Sequence, residues 1–430
     1  MSRQWPTWHN AGVLRLIIPF LLCVSAFPAH AQIDPERRQL LQLGFNQAVD
    51  GRGPLAAYAY YHLNVPQFFS PKRALRLILA PGYADSELGF KKALGEKTDL
   101  GLGLAGGAFA DSHTEIRQDR FIRGESYRGD GARASLSLYH DFPKQGPVPL
   151  AGILRVESHY SKYTRDATTD RAFSMPEAQT EVNARAGLRL GGREPYLVPN
   201  LAMEVSAWYE SRYRLAPMDY GYGGDRRIEP NSQLFWGRAL LIYNKPASPQ
   251  RFLVTLSGGT SIRADRFSAY RLGGDLPMAS EFPLSLPGYY YEEISARRYG
   301  LLGGSYIVPL SRDKKTWTGL VTASTALVDY APGFAQKGKT HSGVGLGTAY
   351  QSRSKAWHVL SGYGYGFNAA RGHGNGGHTV GLLVQFDIER VEIPFFRPAD
   401  PNRGLHHILR DQRSLPLPAR LLPPALRPKR

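Results

Sequence analysis

The chain has 430 residues and one cysteine, Cys23, which falls inside an apolar N-terminal run. Once that run is removed no thiol remains, which excludes disulfides, cysteine–zinc sites and cysteine catalysis. No stretch approaches the roughly 20 consecutive apolar residues that a membrane-spanning helix needs. No G-x-S-x-G is present, and no Ser, His and acid set has an interpretable spacing. His159 and Ser161 share a register on one strand, which leaves an enzyme acting on lipid as an alternative; the lining of a polar interior explains the same pair. Gly101-x-Gly103-x-x-Gly106 fits the dinucleotide fingerprint as a pattern, but no helix or βαβ unit follows it. His373, His378 and the His406-His407 pair do not supply the three or four converging ligands that zinc takes. No chemistry of its own, no cofactor and no metal are therefore expected of this protein.

Acidic residues are the minority: 53 Lys and Arg against 36 Asp and Glu give a net charge of +17. In a cytosolic protein that excess would suggest nucleic acid. Residues 1–31 remove that partner, because they read as a secretory signal: Arg3 and Arg15, a short apolar core from Leu16 to Phe27, and Ala29-His30-Ala31 as a cleavage site, with cleavage expected after Ala31. Export without a helical anchor leaves periplasm, secretion or outer membrane, and a basic outer-membrane protein meets anionic headgroups or acidic ligands.

Residues 32–72 carry Asp34-Pro35, a cap and first-turn pair, followed by Leu40, Leu41, Ala48 and Val49 at helical spacing. The expectation is a short periplasmic helix with an aromatic plug or rim segment behind it. From Arg73 onward the period is two. Leu154, Val156 and Tyr160 alternate with Arg155, Glu157 and His159; Met203, Val205 and Ala207 alternate with Glu204, Ser206 and Trp208. Lumen faces of barrels tolerate Arg and Glu, whereas a lipid-facing Arg at midplane costs ~2 to 4 kcal/mol. Long alternating strands between alternately short and long connections predict an all-β transmembrane antiparallel barrel over 73–391, a class whose mean hydropathy, −0.33 here, looks soluble. Six turns and seven loops join about fourteen strands. The basic, proline-rich end, 392–430, cannot bury a core and reads as a disordered periplasmic tail.

Tyr270-Arg271-Leu272-Gly273-Gly274, then Pro287-Gly288-Tyr289 and a strand ending in Tyr306–Leu310, resembles the hallmark segment of the Omp85 (bacterial surface antigen D15) family of outer-membrane barrels. In that family a loop carrying Arg-Gly-Phe/Tyr folds back into the lumen. Gly288 and Tyr289 match, while Pro287 stands where the family has its Arg. The resemblance implies sixteen strands, so a missing pair should lie upstream, and five strands after the loop. It makes Asp329 the acidic partner of the loop, with Arg271 favoured over Arg297 or Arg298 as the replacement cation. Thr379, Gly381, Val384 and Phe386 have the spacing of the final strand that the barrel assembly machinery recognises, and the seam is expected between that strand and Arg73–Ala80. Too few residues precede the barrel for a periplasmic POTRA repeat. The implied function is to help client polypeptides or lipids into or through the outer membrane; a passive solute channel is the alternative from a different class.

Overall fold

A computed structural model describes residues 36–390, except 50–52, 119, 144–145, 199, 247, 249, 275, 277–281, 314–315 and 373, and without the side chains of 193–198. The expected signal segment and the expected basic tail lie outside the described residues. Sixteen long antiparallel strands form the wall. The first eight are β1 (Arg38–Ala48), β2 (Ala56–Val65), β3 (Arg73–Ala80), β4 (Tyr83–Phe90), β5 (Thr98–Gly107), β6 (Tyr127–Asp141), β7 (Leu150–Arg165) and β8 (Gln179–Val198). The second eight are β9 (Leu201–Leu215), β10 (Asn231–Asn244), β11 (Arg251–Ile262), β12 (Ile294–Pro309), β13 (Trp317–Tyr330), β14 (Thr340–Gln351), β15 (Trp357–Arg371) and β16 (Gly374–Asp387). Each pairs with its sequence neighbours, and β1 pairs with both β2 and β16, so the sheet closes on itself without a free edge.

The missing pair is the segment expected to be helical. In β1, Leu41, Leu43 and Phe45 point outward while Gln42, Gly44 and Asn46 are buried inside, a period of two. Leu40, Leu41, Ala48 and Val49 fall at helical spacing only by coincidence, and the wall begins at Arg38 rather than Arg73. Among the described residues there is no α-helix. The seam is therefore β1 against β16, in unbroken register from Leu40↔Asp387 to Ala48↔Thr379. Five strands follow the 263–293 loop, as expected.

The alternation separates two solvents. Leu154, Val156, Leu256, Leu327 and Leu346 stand exposed on the outer face, the side that lipid covers, whereas Glu204, Glu210 and Gln42 are buried within the ring. Aromatics gather at the end of the barrel where β1 begins and β16 ends. Phe252 stacks on Tyr306, and Tyr350 packs between Trp317 and Trp357, as an interfacial girdle does. At the opposite end the long loops pack on one another: Tyr127, Phe173, Tyr220 and Ile228 make a buried cluster joined by Phe267.

Candidate functional site: a loop folded into the lumen

The segment leaving β11 does not project outward. Tyr270–Leu272 pairs with β12, and the chain then turns into the ring, where Leu272, Leu286, Tyr289 and Ile294 are fully buried in one cluster. Gly273 N–H donates to the Leu284 carbonyl and Leu286 N–H to that of Gly273, which makes a compact fold rather than a loose strap. Phe282 packs against Trp208 and Trp236, on the two wall strands β9 and β10 that precede β11. Between loop and wall a cavity of about 260 Å³ remains, with Arg185, Glu210 and Arg212 among its lining.

Glycines on three strands receive the tip. A Cβ placed on Gly343 would lie 2.1 Å from the Pro287 carbonyl, one on Gly364 2.6 Å from the Gly288 nitrogen, and one on Gly377 2.4 Å from the Gly288 carbonyl. Gly288 itself sits at φ +83°, and its own Cβ would strike the Gly366 backbone. Any side chain here would hold the tip off the wall. Gly288 N–H then donates to the Thr379 hydroxyl at 3.2 Å, and the Tyr289 hydroxyl meets His341 Nδ1 at 3.2 Å. Ser324 donates to the Ser285 carbonyl at 3.0 Å.

One ion pair locks the loop. Arg371, at the end of β15, grips Glu293 through both nitrogens, at 2.9 and 3.0 Å, donates to the Gly288 carbonyl, and lies 3.9 Å over the Tyr290 ring. Both side chains are excluded from solvent. The expected latch between Arg271 and Asp329 does not form. Asp329 lies next to inward-facing Val328 and so turns outward, where it pairs with Arg297 at 2.8 Å and has Lys339 at 3.9 Å. Arg271 donates to the Arg266 carbonyl and lies over Phe334. The acid of the latch thus sits on the loop and the cation on the wall.

The loop also spans the closure of the ring. Tyr290 packs on Ala48 of β1 and on Ile116, while Gly288 bonds Thr379 of β16. Thr379 and Gly381 of the final strand face inward; Val384 and Phe386 face out. On β7, Ser161 donates to Asp111 at 2.7 Å, and His159 Nε2 meets the same carboxylate oxygen at 2.9 Å. The hydroxyl is directed to the acid and not to the imidazole, so no serine–base pair is assembled.

Above the lumen loop a second ionic knot joins three surface loops. Buried Glu115 contacts His113 at 2.8 Å and Arg117 at 3.1 Å, with Arg266 hydrogen-bonded to it and Arg226 at 3.7 Å. Burial alone would raise the Glu115 carboxyl, but the His113 hydrogen bond and the charges of Arg266 and Arg226 outweigh it and hold the group at about 2.

The fold has counterparts among solved structures. CdiB from Acinetobacter baumannii superimposes with a TM-score of 0.59 at 10% identity, over 81% of this chain and 60% of that one. CdiB from Escherichia coli gives 0.55 at 14% identity, over 82% and 63%. BamA from Haemophilus ducreyi lacking POTRA domains 1–3 gives 0.50 at 10%, over 82% and 71%. The chain has an Omp85-type barrel. It spans about 60% of the length of the CdiB chains. No family model matches its sequence, and no curated protein is similar to it at sequence level. In this barrel the lumen loop is held by Glu293 and Arg371, neither of which the sequence pattern singled out. Gly343 and Gly364 were legible only as Gly at every second position of strands, a pattern that shows where backbone must approach backbone, and Gly377 stands outside that pattern.

Proposed function

We propose that this barrel helps client polypeptides or lipids into or through the outer membrane, with the lumen loop keeping the ring closed between uses. The observation that supports this reading is that one loop touches both closing strands: Tyr290 against Ala48 of β1, Gly288 on Thr379 of β16. A loop with such contacts couples its own displacement to the seam. Export through the signal segment, insertion by the barrel assembly machinery through the Thr379–Phe386 strand, and surrounding outer-membrane lipids as partners belong to the same reading. No reaction and no cofactor are assigned to it.

The test is single-channel conductance of the purified protein in a planar bilayer, alongside the outer-membrane protein and lipid content of a strain lacking it. Rare flickering together with a changed content supports assisted insertion or transport. A steady, large conductance with unchanged content makes the protein a passive solute channel instead, and lipid hydrolysis by the same preparation makes it an enzyme.

A further inference from the structure

The wall is not of even height. β3 and β4 have 8 residues each and meet at a two-residue turn, Pro81-Gly82, where Ala80 pairs directly with Tyr83. Eight residues rise about 26 Å along a strand and, at a ~40° tilt, about 20 Å across the membrane, against an apolar band ~25 Å tall. On one side β2 continues above the gap, since its register with β3 starts only at Tyr61↔Leu79 while Ala56 to Tyr60 run on beside β1. On the other side β6 and β7 stay paired up to Tyr127↔Arg165, well beyond the end of β5 at Gly107. The rim at Pro81 therefore falls inside the depth of the hydrocarbon layer, between two taller flanks.

A cavity of about 520 Å³ lies at this gap and is lined by residues from both faces of the wall. Ala59 and Ala132, which face outward, line it together with Tyr58, Arg133 and His159, which face the lumen, and Pro81 forms part of its rim. At the inner end charges alternate: Arg133 lies 2.8 Å from Asp85, and His159 2.9 Å from Asp111. Arg133 keeps 39% of its side chain exposed and His159 23%, so both can reach a ligand without leaving their carboxylates. The volume lies within the ~300–1,000 Å³ range of small-molecule sites.

We infer that this gap is a lateral portal for a zwitterionic phospholipid, whose phosphate sits at Arg133 and His159, whose ammonium faces Asp111 or Asp85, and whose acyl chains leave over Pro81 into the bilayer. Paired cations and carboxylates side by side match a headgroup carrying both signs; an anion alone would meet Asp85 and Asp111 as like charges. The opening lies at β3–β4, apart from the β1–β16 seam. The inference rests on the membrane-barrel reading and deepens the lipid half of the proposal above.

The full-length protein is placed in phosphatidylethanolamine–phosphatidylglycerol vesicles doped with phosphatidylethanolamine carrying a diazirine high on one acyl chain, and adducts are mapped by mass spectrometry. Adducts are expected on lumen-facing Tyr58 and on Pro81–Tyr83 besides the outer wall. Ala132→Trp, or Ala59→Trp should the first fail to fold, should cut the Tyr58 adduct at least fivefold and leave outer-wall adducts at Leu256 unchanged. Adducts confined to outward residues, or a Tyr58 adduct indifferent to both tryptophans, overturn the portal. Equal labelling by diazirine phosphatidylglycerol overturns the zwitterion assignment. Labelling needs no client, so a barrel that delivers nothing still gives the adducts, and one that handles only polypeptides does not.

Discussion

Replacing Glu293 by Gln removes the charge that holds Arg371 while keeping the shape of the loop. Both groups are shut off from water, and the pair is bidentate at 2.9 and 3.0 Å. Truncating one partner of a buried pair typically costs about 3–5 kcal/mol, because the other charge stays desolvated. Glu293→Gln still accepts a hydrogen bond and should fall at the low end; Arg371→Met, which also loses the Gly288 carbonyl and the Tyr290 face, should fall at the high end. In the double variant no orphaned charge remains, so its cost should lie below the sum of the singles by at least ~1.5 kcal/mol. The assay is urea unfolding of the barrel in vesicles, read from the shift between folded and boiled electrophoretic bands, with bilayer conductance as a second readout. Each single should raise conductance as the loop loosens. Singles costing under ~1 kcal/mol, or costs that add, would refute the latch.

Arg271→Ala and Asp329→Ala should leave conductance unchanged, because Asp329 pairs with Arg297 on the outer face and such exposed pairs contribute ~0–1 kcal/mol. Gly364→Ala places a methyl 2.6 Å from the Gly288 nitrogen and should destabilise by ~1–3 kcal/mol, while Gly300→Ala, which meets nothing within 4 Å, should be near neutral in the same unfolding assay. The Glu115 carboxyl is held at about 2 in the folded protein against an ordinary 4.5. Its folded value is depressed, so its contribution is full above pH ~4.5 and is lost as pH falls toward 2, up to ~3 kcal/mol in all. Proteolytic nicking of the 108–126 loop should therefore increase between pH 4.5 and 3, and Glu115→Gln should flatten that rise.

The wall was legible from Arg73 onward because lipid and lumen impose opposite chemistries on alternate residues, as in Leu154–Arg155–Val156–Glu157. β1 was misread for a local reason: Asp34-Pro35 imitates a helix start, and the outward Leu41, Leu43 and Phe45 alternate for only a few residues before Gly44, Asn46 and Ala48 blur the polar row. The lumen loop was legible from its glycines and from Gly288-Tyr289. Its latch was not, since Glu293 and Arg371 are 78 positions apart and only the ring brings them together. The resemblance also pointed to Asp329, and one residue of strand parity decides against it: Val328 faces in, so Asp329 faces out. The Ala80↔Tyr83 pairing makes Pro81-Gly82 a tight turn, and the low rim follows from that.

The position of the loop inside the ring can be measured directly. Ser285→Cys and Ser324→Cys, in a Cys23→Ser background, put one thiol on the loop and one on the β13 wall where Ser324 bonds the Ser285 carbonyl at 3.0 Å. In outer membranes of intact cells, mild oxidation should join the two thiols rapidly, and neither should react with a membrane-impermeant maleimide. Free thiols after oxidation, with Ser285→Cys labelled from outside the cell, would place the loop on the surface and contradict the account.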